Sequence, residues 1–531
     1  MEKRKWMTIV AIAFLATLLT LPLYMVRPAE SAVPPKGPTG TVVVAMSSLH
    51  EETFLPWNGG FARTFYLSPI YEFLVYINPE TNELVPGLAT KWEMSKDAKT
   101  WTFWIRQGIQ FHEGWGELTA EDVKYSIERL IAPDSIVGPA SPIRSLIAKV
   151  EAPEKYKVIV YLNKPDPELD RGYFGSGQAL WIVSKKYLET AGDKAANAHP
   201  IGTGPFTLLE AKKGSSIKLK VIDGIEKHWR VKPDFQNITF LLVPEEATRV
   251  AMLKTGEVDL SPINYDSIES VKASGINVVS IPTSWTPVIR FGGLDQAKPA
   301  RYKADNPWVD KRVRQALNYA VDKEAIIKNI FHGIARPAKV DNPCREWLNI
   351  KPYPYDPAKA KQLLTQAGYP DGFKITLKTF TTSPGAELPI IGEAVAMYWQ
   401  AVGLKVTIQP VDYPSLRAAW TTDKALDYTW THRGQAFPTS LSAIYASYIS
   451  NSAFCAYATE KTDSMIKAIS EELNPKKRED LTRELGEYLG DEAVNVFLAF
   501  ANEPWGASKN IGKWPTLSVA PVNIDLITRA K

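Results

Sequence analysis

Residue types that carry chemistry in other proteins are present in this 531-residue chain, but their spacing does not assemble a catalyst. His50-Glu51-Glu52 and His112-Glu113 begin as a zinc-binding helix does. Neither has a second His four residues on, so no HExxH pair can close on a metal. Ser176 sits between Gly175 and Gly177 but lacks the Gly two positions earlier that a hydrolase nucleophile elbow requires. Gly202-Thr203-Gly204-Pro205 has the glycines of a phosphate loop without its Gly-Lys-Ser/Thr ending, and Pro205 removes an amide donor. The six His residues (50, 112, 199, 228, 332 and 432) are scattered, and each reads as a surface or satisfied core residue. The only cysteines, Cys344 and Cys455, have no His cluster near them and make a poor zinc site. One disulfide between them is an open alternative in an oxidising compartment, since sequence does not place their Cα atoms. No catalytic residue, metal or cofactor is therefore expected.

The glycines and prolines read as turn chemistry instead. Residues 199–206 predict a tight, buried crossing of two segments, where glycine permits close backbone approach. Around it, strands and helices alternate. Apolar, β-branched runs at 41–46, 157–162, 218–222, 238–243, 374–380 and 405–411 predict strands. Trp101, Phe103 and Ile105 show the period of two expected of a half-buried strand. Thr119 with Asp122 forms a capping-box pattern ahead of the stripe Val123, Ile127, Leu130 and Ile131. Asp310 and Asp322 open two further helices, and Asp356-Pro357 a third that exits at Gly368. The fold class is mixed α/β.

Composition narrows the partners. A formal charge of +4 with no basic block argues against nucleic acid, which needs a concentrated Lys/Arg footprint. Sixteen Trp and 22 Tyr supply core and flat faces for a ligand. Lys3, Arg4 and Lys5 precede an apolar run over 7–25 and then Ala29, Glu30, Ser31 and Ala32, the grammar of a secretory signal. The run approaches the ~20 residues that span a bilayer, so residues 1–31 read as a signal peptide or an N-terminal anchor. Either places the remainder outside the cytoplasm. No Cys follows the run, which excludes a lipid-modified N-terminal Cys.

Six blocks in order carry a resemblance. Leu84-Val85-Pro86-Gly87-Leu88-Ala89-Thr90-Lys91-Trp92-Glu93, Thr100-Trp101-Thr102-Phe103 through Gly108, Phe111 and His112, and Leu118 to Val123 are three of them. Pro200-Ile201-Gly202-Thr203-Gly204-Pro205-Phe206, Val313-Arg314-Gln315-Ala316-Leu317 with Ala320 and Asp322, and Tyr355-Asp356-Pro357 through Tyr369-Pro370 complete the series. Together they resemble the bacterial extracellular solute-binding proteins of family 5, which serve peptide and nickel ABC importers.

The resemblance implies a two-lobed periplasmic-binding-protein-like fold with an extra subdomain on the first lobe. On that pattern 32–86, 200–291 and 505–531 form the first lobe core, 87–199 the extra subdomain and 292–504 the second lobe. It implies capture of a peptide or other small polar solute between closing lobes, delivery to ABC permease subunits in the inner membrane, and a monomer. Peptide-binding members hold the ligand's α-amino group with an Asp just after a Gly-Trp step. The matching stretch here, 431–440, has no Asp, and burying an ammonium without its counter-charge costs on the order of several kcal/mol. Arg433 and His432 at this place suit an anionic or polar ligand. His50, Glu51 and Glu52 are further candidates, with Trp57, Trp285, Trp430 and Phe437 as aromatic walls; packing is the competing explanation for each. Arg314 reads as a structural ion-pair partner. The rival functions are a secreted hydrolase and a membrane-tethered receptor or chaperone on the same fold.

Overall fold

A computed structural model describes residues 37–531 except 60–62, 138–139, 176–179, 342–344, 383–384, 422–424, 436–438, 451, 453–454, 456 and 517–522. Local rules explain most of its elements. Strand β1 (Thr41–Met46) is followed by a ribbon of β2 (Val75–Ile77) and β3 (Leu84–Pro86). Strands β4 (Ala89–Met94), β5 (Thr100–Ile105), β6 (Ile147–Glu154) and β7 (Lys157–Leu162) make an antiparallel sheet in the order β4-β5-β7-β6. In β5, Trp101, Phe103 and Ile105 are buried and their neighbours half-buried, as period two demands. Helix Ala120–Ile131 carries the predicted capping box, with Asp122 accepting from the Thr119 amide at 2.9 Å, and buries Val123, Ile127 and Leu130. Asp310, Asp322 and Asp356 each accept a backbone N–H at the start of their helices. Arg314 is structural: it donates to the carbonyls of Trp308, Val309 and Glu492 and pairs with the Glu492 carboxylate at 3.3 Å.

The remaining strands are β8 (Phe206–Lys212), β9 (Ser216–Val221), β10 (Asn237–Leu242), β11 (Leu260–Pro262), β12 (Asn277–Phe291), β13 (Ala335–Pro337), β14 (Lys374–Thr379), β15 (Lys405–Pro410), β16 (Thr429–Gln435), β17 (Asn495–Phe497) and β18 (Ala499–Ala507). With β1 they form one long sheet in the order β15-β14-β16-β12-β18-β11-β1-β10-β9-β8, with β13 against β18 and β17 against β12. Two apolar cores flank it. The first gathers Val42, Phe103, Ile127, Leu169, Phe240, Trp505 and Ile527; the second gathers Ile268, Trp285, Leu317, Trp399, Ile444 and Leu489. The chain's last buried residues thus return to the core its first strand started. Strands β12 and β18 run through both halves. The register of β12 on β18 shifts between Ile281 and Trp285, where Pro282 lies. Neither strand was predicted, because Pro282, Pro287 and Pro504 argue against a central strand.

The predicted crossing at 199–206 is buried and tight. Gly204 and Phe206 donate to Ile70 and Pro69 carbonyls at 2.9 and 3.0 Å. Two imidazoles brace the turn. His112 Nε2–H donates to the Gly204 carbonyl at 2.8 Å while its Nδ1 accepts the Gly202 amide at 3.3 Å; His228 Nε2–H donates to the Thr203 carbonyl at 3.1 Å. An Nδ1 that accepts has no proton to spare, so His112 is neutral.

Burial, with the Gly204 bond opposing, pulls its pKa down to about 4. Between that value and the ordinary ~6.5, the unfolded chain takes up a proton that the folded one refuses. His112 therefore contributes stability in full above about pH 6.5 and loses it as pH falls through about 4, an expected change of about 3 kcal/mol. Urea unfolding from pH 7 to pH 4 should show that slope, and His112→Gln should flatten it. An unchanged slope in the variant would refute the assignment.

Candidate functional site

The strand directions locate the site. Strands β1, β10 and β11 run in the same sense as β12 and end at Met46, Leu242 and Pro262. Strands β14, β15 and β16 run the opposite way and end at Thr379, Pro410 and Gln435. Both sets of carboxyl ends turn toward the level of Ile281–Trp285, where β12 and β18 pass between the two halves. Loops beyond strand carboxyl ends are where open α/β sheets bind ligands. Here two such edges face each other across strands β12 and β18.

Buried arginines hold the first edge in shape. Arg63 donates to the carbonyls of Thr53, Leu55 and Pro56 at 3.0, 2.8 and 3.0 Å, which fixes the loop after β1. Arg249 donates to Val243 and Pro244 at 2.9 and 2.6 Å and to Pro262 at 3.4 Å, clamping the ends of β10 and β11 together. Beyond β11, Tyr265 donates to the Asn502 carbonyl at 2.6 Å and accepts from Trp285 Nε1 at 3.2 Å. Glu246 accepts from the amide and side chain of Asn264, and Asp266 faces His332 at 3.2 Å.

On the second edge Phe380 stacks on Tyr413 at 4.9 Å. Arg433 packs over Gly385, where a Cβ would lie 3.4 Å from its Cδ. The buried Arg433 Nε has no hydrogen-bond partner among the described residues. Burial pulls its pKa below the ordinary guanidinium value, against the pull of Glu503, Tyr265 and Tyr413. Burial pushes Glu387 up, and Asp266, Glu246 and Glu503 push it further. Burial likewise raises Glu503, with Arg433 opposing. This region therefore places one guanidinium with an unpartnered Nε near carboxylates whose charged form burial disfavours, an arrangement suited to a ligand carrying both signs.

The residues singled out from sequence are distributed unequally around this cleft. His50 and Glu51 are exposed and Glu52 half-buried just beyond β1, with Glu52 accepting the Gly214 amide. Arg433 faces the cleft region. Trp57 is buried in the first core under the Arg129 guanidinium, 4.4 Å from its ring centre. Trp285 lies beneath the cleft, edge-on to Phe331. Trp430 and His432 project from β16 toward Trp420, at ring separations of 5.8 and 5.0 Å. There burial, with Arg290 and Arg433 nearby, holds His432 well below its usual pKa and neutral. Phe437 and Cys344 lie outside the described residues. Cys455 is a buried thiol whose pKa burial, with Asp295 adding to it, pushes up to about 12. Sequence reasoning missed Glu246, Tyr265, Asp266, Glu387 and Glu503. For Glu246 and Glu387 the available signal was a position a few residues past the strand-like runs 238–243 and 374–380; Tyr265, Asp266 and Glu503 carried none, Glu503 lying within β18 itself.

A sequence profile of the bacterial extracellular solute-binding proteins, family 5 (Middle), matches residues 83–465. The chain belongs to this family. The family 5 chain is 32% identical over 371 residues to the dipeptide-binding protein of Escherichia coli, a match that covers 64% of this chain and 66% of the relative, just under two thirds of its length. It is 30% identical over 446 residues to glutathione-binding protein GsiB of Salmonella typhi, covering 80% of this chain and 83% of that protein. The solved structure of the ABC transporter-associated periplasmic binding protein DppA from Helicobacter pylori, in complex with the peptide STSA, superposes with a TM-score of 0.72 at 24% identity. That superposition covers 93% of this chain and 98% of that one, a likeness of fold. The two-lobed α/β architecture of this family 5 protein is thus the architecture of known binding proteins. Among its described residues no helix is long and apolar enough to cross a membrane.

Proposed function

We propose that this family 5 protein is the extracytoplasmic substrate-binding component of an ABC importer, capturing a peptide or other small polar solute and delivering it to the permease subunits. The observation that carries this reading is the meeting of two sets of strand carboxyl ends across the β12/β18 hinge, with Arg433 and the carboxylates Glu387 and Glu503 gathered there. A solute touching both edges has differential affinity for the closed state and draws the population toward it. Residues 1–31 direct the chain out of the cytoplasm. The first lobe comprises 32–86, 200–291 and 505–531, with 87–199 as its extra subdomain and 292–504 as the second lobe.

The solute is zwitterionic in this reading. Arg433 takes its carboxylate, and Glu387 with Glu503 receive the ammonium in place of the Asp that stretch 431–440 lacks. His50 and Glu51 reach it from the β1 side. The peptide ligands named for the relatives are of this kind.

Native mass spectrometry of protein purified without refolding is expected to show a carried-over, peptide-sized mass that exchanges with added peptide and is not converted. Small-angle scattering should show compaction as that solute rebinds. Binding without compaction would refute lobe closure, and turnover of the solute would refute a purely binding role.

A further inference from the structure

Away from the hinge, the two cores touch at a second place through one carboxylate. Glu168 precedes the turn that buries Leu169 in the first core, whereas helix Ser440–Ser447 buries Leu441 and Ile444 in the second. The Leu441 amide donates to Glu168 Oε2 at 3.4 Å, so the carboxylate sits on the helix's first turn, where the aligned peptide dipoles favour negative charge. Its other oxygen lies 3.4 Å from Arg478 Nε, on helix Pro475–Asp491 of the same core. The surfaces around it are close. A Cβ on Gly172 would meet the Thr439 methyl at 3.4 Å, and Lys164 lies over the Tyr445 ring at 4.9 Å. Asp166 accepts the Glu168 amide at 2.9 Å and so orients the catch. Glu346 accepts from Ser440 at 2.5 Å beside it. Any bending at the β12 irregularity that separated the two cores would break these contacts.

We propose that Glu168 is a positioning residue for solute capture: the catch of a latch that joins the first core to helix Ser440–Ser447 and Arg478, formed only when the lobes are closed. This rests on the binding reading, because the helix is the next element in the chain after β16, which carries Arg433. The latch stabilises the closed form without touching solute. Its loss shifts the population toward the open form.

The test uses the protein as purified, with its carried-over solute in place and none added, so that the closed form is populated; native mass spectrometry reads occupancy separately, so failure of the peptide reading and failure of the latch are separate results. Hydrogen exchange and small-angle scattering are measured on the full chain of the wild type, Glu168→Ala, Glu168→Gln and Arg478→Met. Glu168→Ala is expected to speed amide exchange in 440–447 by about tenfold and to enlarge the radius of gyration. Segment 460–471, also in the second core, should be unchanged. Arg478→Met should move both readouts the same way. Glu168→Gln, which keeps an acceptor for Leu441 but loses the charge, should fall between. Unchanged exchange and size in both Glu168→Ala and Arg478→Met would overturn the latch. So would an acceleration shared equally by 460–471, which would mark Glu168 as an ordinary structural residue.

Discussion

Gly202→Ala is expected to destabilise this protein by more than about 4 kcal/mol and to leave little soluble, folded chain. A Cβ at that position would stand 2.0 Å from the Ile70 carbonyl oxygen and 2.8 Å from its carbon. Both are backbone atoms, so no side-chain rotation relieves the clash. Moving them also disturbs the Gly204 amide bond to the same carbonyl and the His112 imidazole that braces the turn. Gly204→Ala should be nearly as severe, its Cβ falling 2.4 Å from the Pro69 oxygen. Gly214→Ala is the comparison. Its Cβ meets nothing within 4 Å, and only the left-handed φ of +68° opposes it, a cost of about 1–2 kcal/mol. Urea unfolding followed by tryptophan fluorescence would measure all three. Gly202→Ala within 1 kcal/mol of wild type on an order-of-magnitude scale would show that the crossing is not close-packed as described.

Arg433→Met is expected to weaken solute binding by about 30- to 1000-fold, the range for removing one member of a buried charged contact. Methionine keeps much of the apolar stem and removes the guanidinium, whose buried Nε has no partner among the described residues. A residue that only packed β16 would lower the melting temperature and leave affinity alone. Titration calorimetry with the carried-over solute separates the two. An affinity within threefold of wild type would remove Arg433 from the site. Glu387→Gln and Glu503→Gln, paired with peptides blocked at the amino end, test the opposite pole: the variants should lose affinity for free peptides and little for blocked ones.

Much of the site was legible only in part, for a reason visible at β16. Trp430, His432 and Arg433 are neighbours in sequence, and all three read as ligand candidates there. In a strand, successive side chains point to opposite faces. Trp430 and His432 turn to Trp420 and the second core, while Arg433 turns the other way, toward Gly385. The alternation is a property of sequence; which face meets solvent depends on helix Tyr413–Thr421, which brings Trp420 to one side. Glu387 and Glu503 are 116 residues apart in the chain, and nothing local marks them as companions.

The sequence by itself determined what short-range forces control: the strand period of β5, the caps at Thr119, Asp310, Asp322 and Asp356, the need for glycine at 202 and 204, and the absence of catalytic spacings. The ordered blocks between Leu84 and Pro370 also carried the family. Tertiary structure alone decided that proline-bearing β12 and β18 become the central strands of a shared sheet, because long-range pairing on both sides outweighs the local penalty of Pro282, Pro287 and Pro504. It also decided which strand ends face one another, and therefore which charges meet, since that depends on the register of segments hundreds of residues apart rather than on the preference of any one of them.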